Sequence, residues 1–287
     1  MPVSRSVVRH VLLGSMGLPF MATAVPLGAT TFVPQAMTCP IGGEEFRADV
    51  VASNSYLGQR PDGRPYSPMP VVPIPECPGN GLILFDEDFS DEHLARLADA
   101  IALPEYAALR QQHVQFYRLA WLQGQIDADP YDIATSLMVA GWQVDDNADL
   151  KRRYQGEFVT AIAALDPAAS QGDAWFWLGM RAANALRELG RFQEAAALLE
   201  RLAGSPYMPQ DADDREGALF LSAQLAKLVA EGNAHAEPTN LVPPEYAAAR
   251  CMAADAGLSA VEREACETEE LREAIAELRE YEQEDNG

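Results

Sequence analysis

Hydrophobic and polar positions change their period along this chain shortly before Ser90. Upstream, apolar residues come in short runs or weak alternation. "FRADVVASNSYLG" alternates over residues 46–58, "RPDGRPYSPMPVVPIP" is dense in Pro and Gly, and "GLILF" at residues 81–85 is a brief apolar strand bounded by turn residues. This pattern predicts small, turn-rich β structure over residues 38–87. Such a segment buries little core by itself and needs a covalent staple or a large neighbour.

From Ser90 onward the spacing is helical. Ser90 with Asp91 and Glu92 is a helix start. Pro104 opens "PEYAALRQQHVQFYRLAWLQG", which reads as one helix closed by Gly124. Asp129-Pro130 caps the next helix, and Asn147 or Asp149 starts another that ends before Pro167. Further helices are expected over residues 173–189, 192–202 and 213–230. The break "AEPTNLVPP" then precedes a last pair over residues 245–256 and 260–284. Consecutive helices with short connections predict stacked antiparallel helical pairs. The expected fold is therefore mainly α with a small N-terminal β head. Its segments are the head (38–87), a helical domain (90–232), and a linker with a terminal helical hairpin (233–287).

One pair is more specific. "AWFWLGMRAANALRELGRFQEAAALLERL" resembles a tetratricopeptide repeat. Ala183 matches the small residue where the two helices cross, Gly190 ends the first helix, Phe192 follows the turn, and Ala195 is the small residue of the second. Trp177, Leu178 and Gly179 stand adjacent, where the repeat opening would space them apart, and no strict period runs through the chain.

Charge narrows the function classes. The chain carries 21 Lys+Arg against 43 Asp+Glu, a net of -22. A field of that sign repels phosphate backbones and anionic lipid heads, so nucleic-acid and membrane-surface partners are not expected. Lysine occurs only at Lys151 and Lys227, which leaves little for Schiff-base chemistry.

The first residues are ordered like an export signal. Arg5 and Arg9 are followed by an apolar stretch over residues 11–21, then by Ala22-Thr23-Ala24, with Ala29 a second candidate cut. The stretch is too short and too interrupted to span a bilayer. A periplasmic or secreted protein is expected, the alternative being a cytoplasmic product translated from Met37. Four cysteines, Cys39, Cys77, Cys251 and Cys266, then permit three disulfide pairings.

Cys39-Pro40-Ile41-Gly42 and Cys77-Pro78-Gly79-Asn80 resemble the two knuckles of a zinc ribbon, with Gly42 and Asn80 where second cysteines would stand. Zinc in such a ribbon takes four ligands, and glycine and asparagine do not replace thiolates. Ribbon geometry brings the knuckles together, so the resemblance implies a Cys39–Cys77 disulfide in place of the metal. A ribbon followed by tetratricopeptide-like helices resembles an uncharacterised bacterial family of that architecture, over residues 38 to about 205. That family implies a scaffold and no settled activity.

The second pair follows from helix geometry. Gly257 should stop one helix, and Ser259 with Glu262 forms a capping box for the next. At about 1.5 Å per residue, Cys251 and Cys266 both lie roughly 9–10 Å from that turn, level in an antiparallel hairpin.

No catalytic motif emerges. His93, His113 and His235 fall in no metal or triad pattern, and no phosphate loop or nucleophile elbow is present. Asp145-Asp146-Asn147-Ala148-Asp149 starts like a calcium loop but has Leu150 and Gly156 where Gly and Glu are needed, so helix capping is expected there. Asp211, Asp213 and Asp214 read the same way. No metal and no cofactor is expected. Trp121, Trp142, Trp175 and Trp177 are candidates for a concave binding surface, although tryptophans at helical spacing usually serve the core. The sequence thus predicts an exported helical scaffold that binds a protein or peptide partner without catalysis. The alternative is a hydrolase, carbohydrate-active or other, using convergent carboxylates.

Overall fold

The computed structural model describes residues 30–168 and 172–285. The expected export signal lies outside the described residues. Two strands, β1 (Thr30–Thr38) and β2 (Glu45–Asn54), form an antiparallel hairpin paired from Thr38↔Glu45 to Thr30↔Asn54, with a one-residue register shift between Phe32 and Thr31. β1 lies almost entirely upstream of the expected head. Its Pro34 lacks a donor, which a strand with one open edge tolerates. The "GLILF" strand reduces to one bridge, Glu76↔Ile83.

Helices fill the rest: α1 (Asp91–Ile101), α2 (Pro104–Gln112), α3 (Gln115–Gln125), α4 (Pro130–Trp142), α5 (Ala148–Ala164), α6 (Asp173–Glu188), α7 (Phe192–Ala203), α8 (Ala212–Ala230), α9 (Pro244–Met252), α10 (Ala260–Cys266) and α11 (Glu269–Asp285). From α3 to α8 each helix packs on the next, and α9 packs on α11. The fold is mainly α with a small β head. No helix among the described residues is long and apolar enough to cross a membrane.

Local capping explains the helix starts. Ser90, Asp129, Asn147 and Asp211 each accept a backbone N–H of the first turn, and Ser259 and Glu262 complete a capping box. Gly190, at φ 73°, ends α6, and Arg191 N closes back onto Leu186 O at 2.8 Å. Within the α6–α7 pair, a Cβ on Gly179 would stand 2.8 Å from Leu202 Cδ2, so glycine there lets the two helices close up.

Two expected helices break. The stretch read as one helix over 104–124 turns extended at His113 (φ -129°, ψ 149°), separating α2 from α3. Tertiary partners compensate: Gln143 Oε1 accepts from Phe116 N at 2.9 Å, and His113 Nδ1 meets Tyr154 OH at 2.7 Å. The expected 260–284 helix stops at Cys266, and the next starts at Glu269 after Thr268. Likewise α9 ends at Met252, before Gly257.

Two apolar cores result. The larger joins α3 through α8, including Phe158, Phe176, Met180, Leu199 and Leu225. The other fuses the head to α1–α3: Cys39, Cys77, Leu82 and Ile83 pack with Leu97, Tyr106 and Leu122. Tyr106 donates to Gly81 O at 2.5 Å, and Arg118 forks onto Glu76 with both bonds at 2.8 Å. The head is therefore part of the helical body's packing.

Candidate functional site

Both disulfides form within local motifs. Cys39–Cys77 has a Cα–Cα distance of 5.7 Å and Cys251–Cys266 one of 5.8 Å. The two head turns share one hydrogen-bond pattern. Cys39 N reaches Glu44 O and Gly43 N reaches Cys39 O, just as Cys77 N reaches Leu82 O and Gly81 N reaches Cys77 O. Asn80 ties the two turns together: its Nδ2 donates to Ile41 O at 2.8 Å and lies 3.5 Å from Cys39 Sγ. Among the described residues no group of three or more His, Cys, Asp or Glu is placed to hold a metal ion. In the tail the bond joins the ends of α9 and α10, whereas the helix that packs most on α9 is α11.

The most connected polar structure surrounds the loop at residues 57–66. Leu57 N to Tyr66 O and Tyr66 N to Gly58 O close its neck, and Gly58 and Gly63 turn it at φ 83° and 88°. The loop inserts against the helical stack. Buried Arg60 bonds Asp62 at 2.5 and 3.2 Å, and reaches Asp145, between α4 and α5, at 2.8 and 3.1 Å. Burial opposes the Arg60 charge, yet Asp62 and Asp145 hold its pKa above the ordinary value. Lys151 also reaches Asp145, at 2.6 Å. Farther in, the Glu188 carboxylate accepts from Asn184 at 2.8 Å and Gln155 at 2.7 Å, with Lys151 Nζ at 3.8 Å. Burial, reinforced by Asp62, pushes the Glu188 pKa up.

Carboxylates thus do converge, but on cations. Asp62, Lys151 and Gln155 border an inner cavity of about 20 Å³, walled by Leu137, Phe158 and Trp142. That is room for a water molecule and not for a substrate.

Arg187 of α6 anchors the linker. Its guanidinium is fully buried, bonds Asn184 Oδ1 at 2.8 and 3.1 Å, and donates to Asn233 O and His235 O, both at 2.8 Å. Asn233 donates to Glu262 of α10, which also takes Arg250 of α9 at 2.8 Å. Tyr66 continues the tie from the loop, bonding Glu237 at 3.0 Å and stacking on Tyr246 at 3.7 Å.

These ties leave an open groove of about 630 Å³ where α8, residues 58–61, residues 239–244 and the α10–α11 turn meet. Phe220, Leu221, Leu241, Val261 and Leu271 make it largely apolar, and Phe220 is 57% exposed. Arg181 of α6 and Lys227 of α8 also line it. Arg181 Nη1 donates to Pro61 O at 2.8 Å, and desolvation lowers its pKa despite the nearby Asp62.

The four tryptophans do not gather on one surface. Trp121 stacks on Tyr106 in the head core, and Trp142 lies under the loop with Nε1 3.3 Å from Asp62 O. Trp175 meets Tyr207 edge-on and Trp177 meets Phe176, both beside the larger core. None of the four borders the groove. His113 is occupied by Tyr154, while His235 Nδ1 accepts from Glu237 N. Sequence reasoning did not single out Arg181, Arg187 or the loop; the charged residues inside the Pro- and Gly-rich "RPDGRPY" were the available signal. Comparison with protein-family models, with curated proteins and with solved structures returned no match.

Proposed function

We propose that this chain is an exported helical-repeat module that binds a segment of a protein or peptide partner in the groove beside α8, without chemistry of its own. The observation that carries the reading is the groove itself: large, open and apolar, with walls from four separated stretches tied together by ion pairs and hydrogen bonds. A site that rigid and that apolar binds by shape and burial. The converging acids are committed to Arg60 and Lys151 in a space that admits only water, which supports binding over hydrolysis. Two disulfides suit an oxidising compartment and so support a periplasmic or secreted location. The shared turn pattern of the two knuckles supports the reading of the head as a zinc ribbon whose metal has given way to a disulfide.

Site-specific photo-crosslinking in cells that produce the chain tests this. A photoreactive residue at Phe220 should give a discrete adduct, and one at Leu103, exposed at the start of α2, should not. Identical adduct patterns from both positions, or none from Phe220, would refute the groove as the binding site.

A further inference from the structure

The chain has about two acids for every base, and nearly every sheltered cation has taken one. Among the described residues, Arg60, Arg64, Arg96, Arg118, Lys151, Arg187 and Arg250 are buried or half-buried, and each has a carboxylate within 4.0 Å. Arg181 is the exception. Half-buried where the groove and the inner cavity adjoin, it has one acceptor, Pro61 O, for its five donor hydrogens. Lys227, facing the same groove, has no ion-pair or hydrogen-bond partner among the described residues. The opposite imbalance lies beside them. Asn240 donates Nδ2 to Gln224 Oε1 at 3.0 Å, while its Oδ1 is buried without a donor. A donor-rich cation with no carboxylate within 4.0 Å and an acceptor lacking an N–H border one apolar groove.

We propose that the groove is a receptor for the free C-terminal carboxylate of an apolar peptide, taken by Arg181. A chain end carries the missing groups together: two carboxylate oxygens matched to the guanidinium fork, and one residue's amide N–H for Asn240. The apolar walls then take the terminal side chains. Charge sets the direction of entry. The unpaired cations come from α6 and α8, whereas Glu264 and Glu270 stand on the α10–α11 side. The carboxylate therefore points to α6, and the upstream residues pass the acids, which favour a basic side chain there.

This inference rests on the groove being a peptide site, and the test separates the two. Random heptapeptides tethered by their N-termini are presented to the oxidised full-length chain, once with free carboxylates and once as C-terminal carboxamides. The carboxylate set should retain the chain, and amidation of a selected peptide should weaken binding roughly 10- to 100-fold, the effect of one charge-assisted fork. Arg181→Gln should bind carboxylate and carboxamide forms alike. Lys227→Glu, at an exposed position, should weaken the carboxylate form about fivefold and spare the carboxamide. Equal retention on both sets, with competition by groove ligands, would overturn the chain-end reading and leave peptide binding standing. Retention on neither set would overturn both.

Discussion

Replacing Arg187 by methionine isolates what the buried guanidinium does. The two side chains are similar in length, so the change opens little cavity. It removes four hydrogen bonds and strands three acceptors: Asn184 Oδ1, which is buried, and the carbonyls of Asn233 and His235, which are part-buried. Each unsatisfied buried acceptor costs roughly 1–3 kcal/mol, and local relaxation recovers part of the sum. A loss of about 3–5 kcal/mol is expected, in the range found when one member of a buried polar pair is removed. Apolar replacement of a whole buried ion pair is often neutral because both charges go; here two acceptors are backbone and remain. Urea unfolding followed by circular dichroism measures the loss. Hydrogen exchange locates it: amides of residues 233–243 should lose protection, while α3, α4 and α5 keep theirs. An Arg187→Met protein within about 1 kcal/mol of the parent would refute the claim that polar satisfaction, and not packing, holds the linker.

Other outcomes follow from the same contacts. Cys39→Ser opens a bond of sequence separation 38 and Cys266→Ser one of 15, which chain entropy values at about 4 and about 3 kcal/mol. Because Cys39 lies in the core shared with α1–α3, its loss should deprotect those helices together with the head, whereas loss of Cys266 should fray only α9–α11 in hydrogen exchange. Burial opposes the Glu262 charge, but Arg250, Ser259 N and Asn233 hold its pKa below the ordinary 4.5. A carboxylate depressed in this way lends stability that is complete above its unfolded value and drains away as pH falls through the folded one. Melting temperatures should therefore drop on acidification below about pH 4.5, and Glu262→Gln should flatten that drop. Elemental analysis should find well under one zinc per chain, since among the described residues no group of three or more ligating side chains is placed to hold a metal.

What the sequence made legible was local. Ser90, Asp129, Asn147 and Asp211 start helices through bonds to residues two or three positions on, so their role shows in any short window. The Cys251–Cys266 bond was also readable, although by a simpler route than the real one: α9 stops short of Gly257 and α10 ends at Cys266 itself. What escaped was non-local. The break at His113 depends on Tyr154 and Gln143, which no helical propensity near residue 113 announces. The groove depends on pairs such as Arg60–Asp145 and Tyr66–Glu237, with sequence separations of 85 and 171. A window that sees Pro, Gly and scattered charges in residues 58–66 reads a surface loop; only the partners reveal a wedge between helices. β1 escaped because Pro34 interrupts its alternation.

Closing the head with sulfur instead of a cation changes what its maturation consumes. A metal knuckle closes whenever the ion is at hand, and a chelator opens it again. Here closure withdraws two electrons and two protons from Cys39 and Cys77 and needs an acceptor for them. Once the pair is sealed at the centre of a packed core, reductants reach it only after that core opens. The head therefore records, in a bond that outlasts the event, that this chain has passed through an oxidising place.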